Sequence, residues 1–384
     1  MNNEKTNINK RRTARIVTVA SGLLFVTFSI VYLAVFQKDV LEALHYSLAQ
    51  GKTKYSPWGS AFFITLVLMV LCWAINAFVR LKGPLKSLSY FPSCLLLGVL
   101  TDVGYGVYQG EGFSMLWGWL LPLLLGIFLL LGLLVRKVIC FDAESESDVM
   151  VNVNSNLSIL LVLCLMTVGI GNTNIHFHHE LQMEEALRRQ DYEEAFKVAE
   201  QSMDPSRNLT ALRAYAMSRE GSMGEKLFHY PQLYGASGLL LESAKEKTLR
   251  LNADSLYVYL GNRPALGESA LGFFRRICKE ETGNYTTLDY YLSALLLEKK
   301  LDEFVKEYEE LYIVCDSIPT YYRQALYLYG RMNGDCIEEI SDESLEALWL
   351  KYMTKQEELS GERGEANRMR REFSDTYWWY YQYK

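Results

Sequence analysis

Along the chain, apolar residues first come in long unbroken runs and then settle into a helical period. Residues 16–36 and 61–79 carry no charged side chain, and residues 114–135 are dominated by leucine, with Trp117 and Trp119 at the leading end. A transmembrane helix needs about 20 mostly apolar residues to cross a hydrocarbon layer of about 30 Å, and these three stretches meet that demand. Residues 88–107 meet it less well, because they hold Pro92, several glycines and Asp102. In residues 156–173 polar residues flank a short apolar middle. The pattern predicts five crossings in a membrane domain spanning residues 16–175, behind a basic tail at residues 1–15.

From residue 176 onward the pattern changes. Apolar positions recur at spacings of three and four, broken by Gly, Asp, Asn or Pro, which is the signature of amphipathic helices and not of strands. Residues 186–205 read as two antiparallel helices around the turn Gln190-Asp191-Tyr192, with Ala195 and Ala199 on one face and Asp204-Pro205 closing the second helix. This is the turn-Tyr-x-x-Ala pattern of a tetratricopeptide (TPR) repeat. Residues 209–228, turning at Gly221, and 288–311, turning at Lys299-Lys300, read as looser units of the same kind, although Phe304 stands where a small Ala is usual. Further helices are expected at 320–331, 342–358 and 362–374. The fold class is therefore all-α: a polytopic transmembrane domain followed by a TPR-like helical-repeat domain at 176–384, with an irregular helical bundle as the alternative to an array.

Charge sharpens this division. Of the 384 residues, 39 are Lys or Arg and 45 Asp or Glu; residues 1–175 hold 13 and 9 of them, so the first part is net +4 and the remainder net −10. An acidic helical domain argues against nucleic acid, which is bound through a surplus of Lys and Arg. Cationic flanks stay on the cytoplasmic side of a membrane. Lys10, Arg11, Arg12 and Arg15 precede the first span, Arg80, Lys82 and Lys86 lie between the second and third, and Arg136 and Lys137 follow the fourth. The amino terminus is thus expected in the cytoplasm and, after five crossings, the helical domain in the periplasm of a bacterial inner-membrane protein. That sidedness depends on residues 156–173 crossing.

Three stretches carry a resemblance: NLTAL at 208–212 followed by EKLFHYPQ at 225–232, IPTYYRQALYLYG at 318–330, and the ending DTYWWYYQYK at 375–384. Together they resemble an uncharacterised family of Bacteroidota multi-span membrane proteins with a TPR-like carboxyl-terminal region. The resemblance covers mainly residues 180–384. It implies an inner-membrane protein and supplies no activity.

Candidate chemistry is sparse. Asp102 is the one acidic residue inside a predicted span, a position where carboxylates usually face a partner or a wet cavity; an ordinary interfacial carboxylate is the plainer alternative. His176 and His179 share a helical face with Glu180, a weak pattern for a divalent metal, against the plainer reading of polar residues at a membrane interface. The helix at 39–50 offers only Asp39 and Glu42, and the acidic run at 142–148 reads as a solvated linker. No GxSxG elbow, Walker loop or dinucleotide fingerprint occurs, so no catalytic residue, cofactor or metal is assigned. Cys315 and Cys336 are the pair weighed for a disulfide. The aromatic ending at 377–383 is expected to cover the last helix pair, with a place at the membrane interface as the alternative. The reading that results is a membrane-anchored scaffold binding a protein or peptide at the cell envelope, with Tyr residues as anchors. The alternative is an envelope enzyme or carrier acting on a lipid-linked or polymeric substrate.

Overall fold

Every described element is helical, as the apolar spacing predicts, and the computed structural model describes residues 2–81, 83–109, 114–139, 149–241, 248–251, 253–312, 318–334 and 343–384. Side chains are described from Arg15 onward. The acidic run at 142–148, Glu111, Cys140, Cys315 and Cys336 lie outside the described residues. The chain divides into one unit to Leu181 and a second from Gln182. The division falls six residues beyond the expected boundary, within a single helix.

The first unit holds α1 (Asn2–Val31), which ends in a π-helical turn at Tyr32–Phe36, then α2 (Lys38–Ala49) and α3 (Pro57–Val79). A 3₁₀ stretch at Gly83–Tyr90 leads into α4 (Phe91–Thr101). A second, at Tyr105–Gln109, precedes α5 (Trp117–Ile139), α6 (Val149–Ile170) and α7 (Ile175–Arg189). Among the described residues, four helices are long and apolar enough to cross a membrane: Arg15–Phe36, Pro57–Val79, Trp117–Arg136 and Met150–Ile170. The remaining expected span, at 88–107, has a regular α-helix of only 11 residues. Pro92 sits in its first turn, where a proline is tolerated because that N–H has no intrahelical partner. The eight residues ahead of it form the 3₁₀ helix. Laid end to end, eight residues rising about 2.0 Å each and 11 rising about 1.5 Å reach roughly 32 Å, about the thickness of the hydrocarbon layer.

Side-chain pairs fix the direction of each helix. Ser21 meets Ser87 at 3.0 Å, Phe25 packs on Tyr90 and Tyr32 meets Thr101 at 2.9 Å, so α1 runs parallel to 83–101. The Ser87 amide donates to Asn156 Oδ1 at 2.7 Å, Thr167 Oγ1 donates to the Cys94 carbonyl at 3.0 Å and the Asn172 amide to the Thr101 carbonyl at 2.9 Å, so α6 runs the same way. In contrast, Ser93 Oγ donates to the Leu68 carbonyl while Cys72 lies beside Ser89, which makes α3 antiparallel. Phe91 stacks on Phe128 and Asp102 meets Trp117, which makes α5 antiparallel as well. Three segments point one way and two the other. One end of the unit carries Arg15, Arg80, Lys86 and Arg136; the opposite end carries Asp39, Asp102 and Glu180 together with Lys38, Lys52 and Lys54.

Burial along 83–101 explains how so unpromising a stretch sits among apolar helices. From Leu85 to Thr101 no side chain is exposed, whereas α5 shows most of its surface. Asn156, fully buried, tends the 3₁₀ backbone: its Nδ2 donates to the Gly83 carbonyl at 3.0 Å and to Asn152 O at 2.7 Å, while its Oδ1 takes the Ser87 N–H. Gly98 lets α4 approach α6 closely, since a Cβ there would lie 3.0 Å from the Ile170 side chain and 3.2 Å from the Thr167 carbonyl. At Gly171 a Cβ would run into the Tyr32 hydroxyl and Thr101 Oγ1.

The second unit begins in the last turns of α7 and continues with α8 (Tyr192–Lys197), α9 (Arg207–Glu220), α10 (Met223–Lys226), α11 (Ala253–Leu260) and α12 (Ala270–Lys279). It ends with α13 (Thr287–Leu297), α14 (Leu301–Leu311), α15 (Thr320–Asn333), α16 (Glu343–Leu359), α17 (Glu365–Phe373) and α18 (Tyr377–Tyr383). The unit turning at Lys299-Lys300 appears as expected in α13 and α14, with Phe304 fully buried. The helix expected to run to Pro205 stops after Lys197, and Ala199 adopts a left-handed φ of 50° outside it. Its end is held by tertiary donors: Arg213 Nη2 takes the Val198 carbonyl at 2.7 Å and Tyr230 OH the Phe196 carbonyl at 3.0 Å. Gly221 ends α9 as expected, but α10 has only four residues before a 3₁₀ turn at Leu227–His229.

Tyrosine builds this core. Tyr290, Tyr291, Tyr321, Tyr322, Tyr327, Tyr352 and Tyr377 are fully buried, so they are unavailable as surface anchors. Several buried hydroxyls donate to carbonyls near helix ends, which lack intrahelical partners; Tyr380 OH to Leu297 O at 2.8 Å and Tyr257 OH to Leu241 O at 2.9 Å are two. The aromatic ending is packed inside the unit: the Tyr377 amide donates to Gln324 Oε1 and Trp378 Nε1 to Gln324 O, each at 2.8 Å. Near the start of the unit, Glu184 accepts the amides of Leu249 and Arg250. Burial would raise the Glu185 carboxyl, but Arg188, Arg250 and Arg189 outweigh it and hold it at about 2.

Replacing Asn156 by Leu strands the buried Ser87 amide, worth about 1–3 kcal/mol when left unpaired, and removes a part-buried donor from the Gly83 carbonyl. Unfolding of the N156L variant in mixed micelles should show a loss of at least about 2 kcal/mol, with mean residue helicity otherwise retained. A loss below about 0.5 kcal/mol would mean the 3₁₀ backbone does not depend on that side chain.

Candidate functional site

At the end of the first unit opposite its basic residues, the loops and helix ends bring titratable groups together. Asp102 stands at the C-cap of α4 and accepts a 2.5 Å hydrogen bond from the indole of Trp117, the first residue of α5. The carboxylate therefore joins two antiparallel helices through a partly buried bond. Sequence reasoning singled out Asp102 but missed its partner Trp117.

The two candidate histidines do not assemble a ligand set. Both His176 and His179 are half-buried on α7, and among the described residues no three His, Cys, Asp or Glu side chains are disposed to hold a metal ion. Glu180, 2% exposed, faces Tyr105; burial together with the Glu180 charge pushes that phenol up to about 12. The histidine between them makes the long-range contact. His178 places Nδ1 3.8 Å from Asp39 Oδ2 on α2 and Nε2 3.3 Å from the Asn172 carbonyl. Both ring nitrogens thus face acceptors, an arrangement that suits the doubly protonated ring. The Asp39 carboxylate raises the His178 pKa more than burial lowers it, and the Asn172 carbonyl adds to the rise. His178 belongs to the same histidine cluster in the sequence, but its partner Asp39 comes from an element far away in sequence, so the local pattern does not reveal the contact.

The second unit has a cleft of about 210 Å³. It lies between the turn that follows α8, the loop after Leu227–His229, and the helices α17 and α18. Tyr230 and Trp379, 8% and 7% exposed, contribute its aromatic surface. Their polar ends are turned elsewhere, Tyr230 OH to Phe196 O and Trp379 Nε1 to Ala366 O. Glu200, Arg370 and Lys384 line the same cleft. Arg370 lies 5.8 Å over the Trp379 ring and directs Nη2 at the Met203 sulfur, 3.0 Å away. Behind this surface the buried Arg213 lies 4.0 Å over the Tyr230 ring, and burial pulls its guanidinium down to about 10. None of these residues carries a motif, and the cleft forms only when α17 and α18 meet the 200–203 turn. The aromatic run at 377–383 and the stretch at 225–232 were the sequence signals that fell on parts of it.

The His178 contact has a pH dependence whose sign follows from its raised pKa. The stabilisation is fully present below the ordinary imidazole value of about 6.5 and is lost as pH rises through the higher folded-state value. Wild-type protein in detergent should therefore exceed His178→Gln by on the order of 1 kcal/mol near pH 6, and thermal melts should show the gap narrowing towards pH 9. A gap that stays constant over that range would contradict the pairing.

Comparison with known proteins gives one match. A family described as a family of unknown function (DUF6057) matches residues 112–265 and 267–384, most of the chain. Nothing matches among curated proteins or among solved structures. The match runs through α5 and α6 and on through all of the second unit, so the chain belongs to this family of unknown function.

Proposed function

We propose that the chain is a multi-pass anchor in a bacterial inner membrane that holds a helical interaction domain on the periplasmic side, where it binds a protein or peptide. The directions of the packed segments support five crossings: α1, the 83–101 segment and α6 point one way, α3 and α5 the other. The gathering of Arg15, Arg80, Lys86 and Arg136 at one end supports a cytoplasmic amino terminus, because cationic flanks resist translocation. Residues from 171 onward then emerge on the far side. Helical pairs stacked as in α13 and α14 favour a TPR-like platform, whose faces recognise partners through distributed side chains.

The observation that carries the binding role is the cleft on the second unit. The largely buried rings of Tyr230 and Trp379 line it with their polar ends tied to backbone carbonyls, and Glu200, Arg370 and Lys384 line it as well. Such a surface offers contact area and orientation, as binding hot spots do. Asp102, by comparison, is engaged by Trp117 in joining two helices, which suits a structural role.

A photo-crosslinking residue at exposed Met203 on the cleft rim should capture a discrete polypeptide in intact cells, and Glu200→Lys or Arg370→Glu should reduce that product about tenfold. Asp102→Asn should leave it unchanged. Loss of the cellular phenotype from Asp102→Asn alone, at intact expression, would contradict the binding role and favour chemistry within the membrane.

A further inference from the structure

Of the four long apolar helices in the first unit α5 is the least enclosed, with 6% of its span buried against 22–33% for the others. Trp117 holds Asp102, Phe128 stacks on Phe91 at 5.0 Å, and Gly132 lies against α3, where an added Cβ would come within 2.7 Å of Val79 Cγ1. The bare glycine lets the two parallel helices close at that level and leaves a shallow seam between them.

Two guanidiniums stand where this seam reaches the end of the unit. Arg80 is the C-cap of α3, directly after Val79, and its Nε donates to the Ala77 carbonyl at 3.3 Å. Arg136 follows Gly132 by four residues, about 6 Å along α5 and on nearly the same face. Both are exposed. Among the described side chains no carboxylate lies at this end of the unit, since Asp39, Glu42, Asp102 and Glu180 are all at the other. Each helix C-terminus offers its arginine about half a negative charge. That leaves the pair with positive charge to spare and with repulsion across the seam.

The flanks of the seam are apolar and open, with Phe78 on α3 and Leu131 and Leu133 on α5 all exposed. Apolar walls leading up to two arginines at the rim match a phospholipid with an anionic headgroup, and a guanidinium fork binds phosphate bidentately. A zwitterionic headgroup brings its own ammonium to the same two cations and loses that advantage. Basic pockets between transmembrane helices take anionic headgroups for this reason.

We propose that the seam between α3 and α5 binds an anionic phospholipid, its phosphate held between Arg80 and Arg136 and an acyl chain lying along Phe78 and Leu133. Lipid then joins α5 to the unit where the protein itself packs least. The inference concerns the first unit alone and does not depend on what the second unit binds.

Native mass spectrometry of the full chain, released from detergent micelles containing phosphatidylglycerol or phosphatidylethanolamine with the same acyl chains, tests it. Wild-type protein should retain phosphatidylglycerol about tenfold more tightly, and Arg80→Gln combined with Arg136→Gln should bring the two lipids within about twofold. Phosphatidylethanolamine binding of that double variant should match wild type, which a misfolded protein would not show. Arg15→Gln removes a charge from α1 at the same end and should keep the preference. Equal retention of the two lipids by wild type, or a preference that survives in the double variant, would overturn the inference. So would an equal loss in Arg15→Gln, which would make the preference a property of the whole basic end.

Discussion

In hydrocarbon no water is available to pair with an exposed N–H or C=O, so a backbone that departs from the α-helix can stand at that depth only inside a protein sheath. The first unit is organised by this constraint. Its least regular segment, Gly83–Thr101, is enclosed from Leu85 onward among α1, α3 and α6, and its most leucine-rich helix, α5, is the one left on the outside. Polar side chains follow the same logic. Asn156 serves the 3₁₀ backbone, Thr167 the Cys94 carbonyl, and Tyr32 and Thr101 each other, so the buried polar seam is occupied by structural bonds. Gly98 and Gly171 supply the close approaches that let those bonds form.

The second unit solves a related problem in a different way. Its helices are short, and short helices have a large share of unpaired terminal carbonyls. Buried tyrosines fill apolar space with their rings, and two of them, Tyr230 and Tyr380, cover the terminal carbonyls of Phe196 and Leu297 with their hydroxyls. This accounts for a composition rich in tyrosine without assigning those residues to a binding face.

Much of the architecture was legible in the sequence, for physical reasons that can be named. Length and apolarity marked three of the four regular spans, and the period of three and four with Gly221 and Lys299-Lys300 marked the helical turns. The stretches at 88–107, with Pro92, its glycines and Asp102, and at 156–173, with its polar flanks, were the weak spans; only the packing around them supplies the reason. The second helix of the unit at 186–205 was misjudged because Arg213 and Tyr230, distant in sequence, take the carbonyls that would have continued it. The sites were less legible still. Asp102 was found without Trp117, and His176 and His179 drew attention that belongs to His178, whose partner Asp39 comes from α2. Glu200, Arg370 and Trp379 share no motif, since what unites them is a tertiary meeting of three loops and helices.

The central claim is that residues 83–101 cross the bilayer in the direction of α1 and α6. Single cysteines placed at Arg80 and at Gly104 in a cysteine-free background, treated in intact cells with a membrane-impermeant maleimide, test it directly. The account predicts labelling at position 104 and protection at position 80 until the membrane is permeabilised. Labelling of both positions, or of neither, before permeabilisation would contradict it.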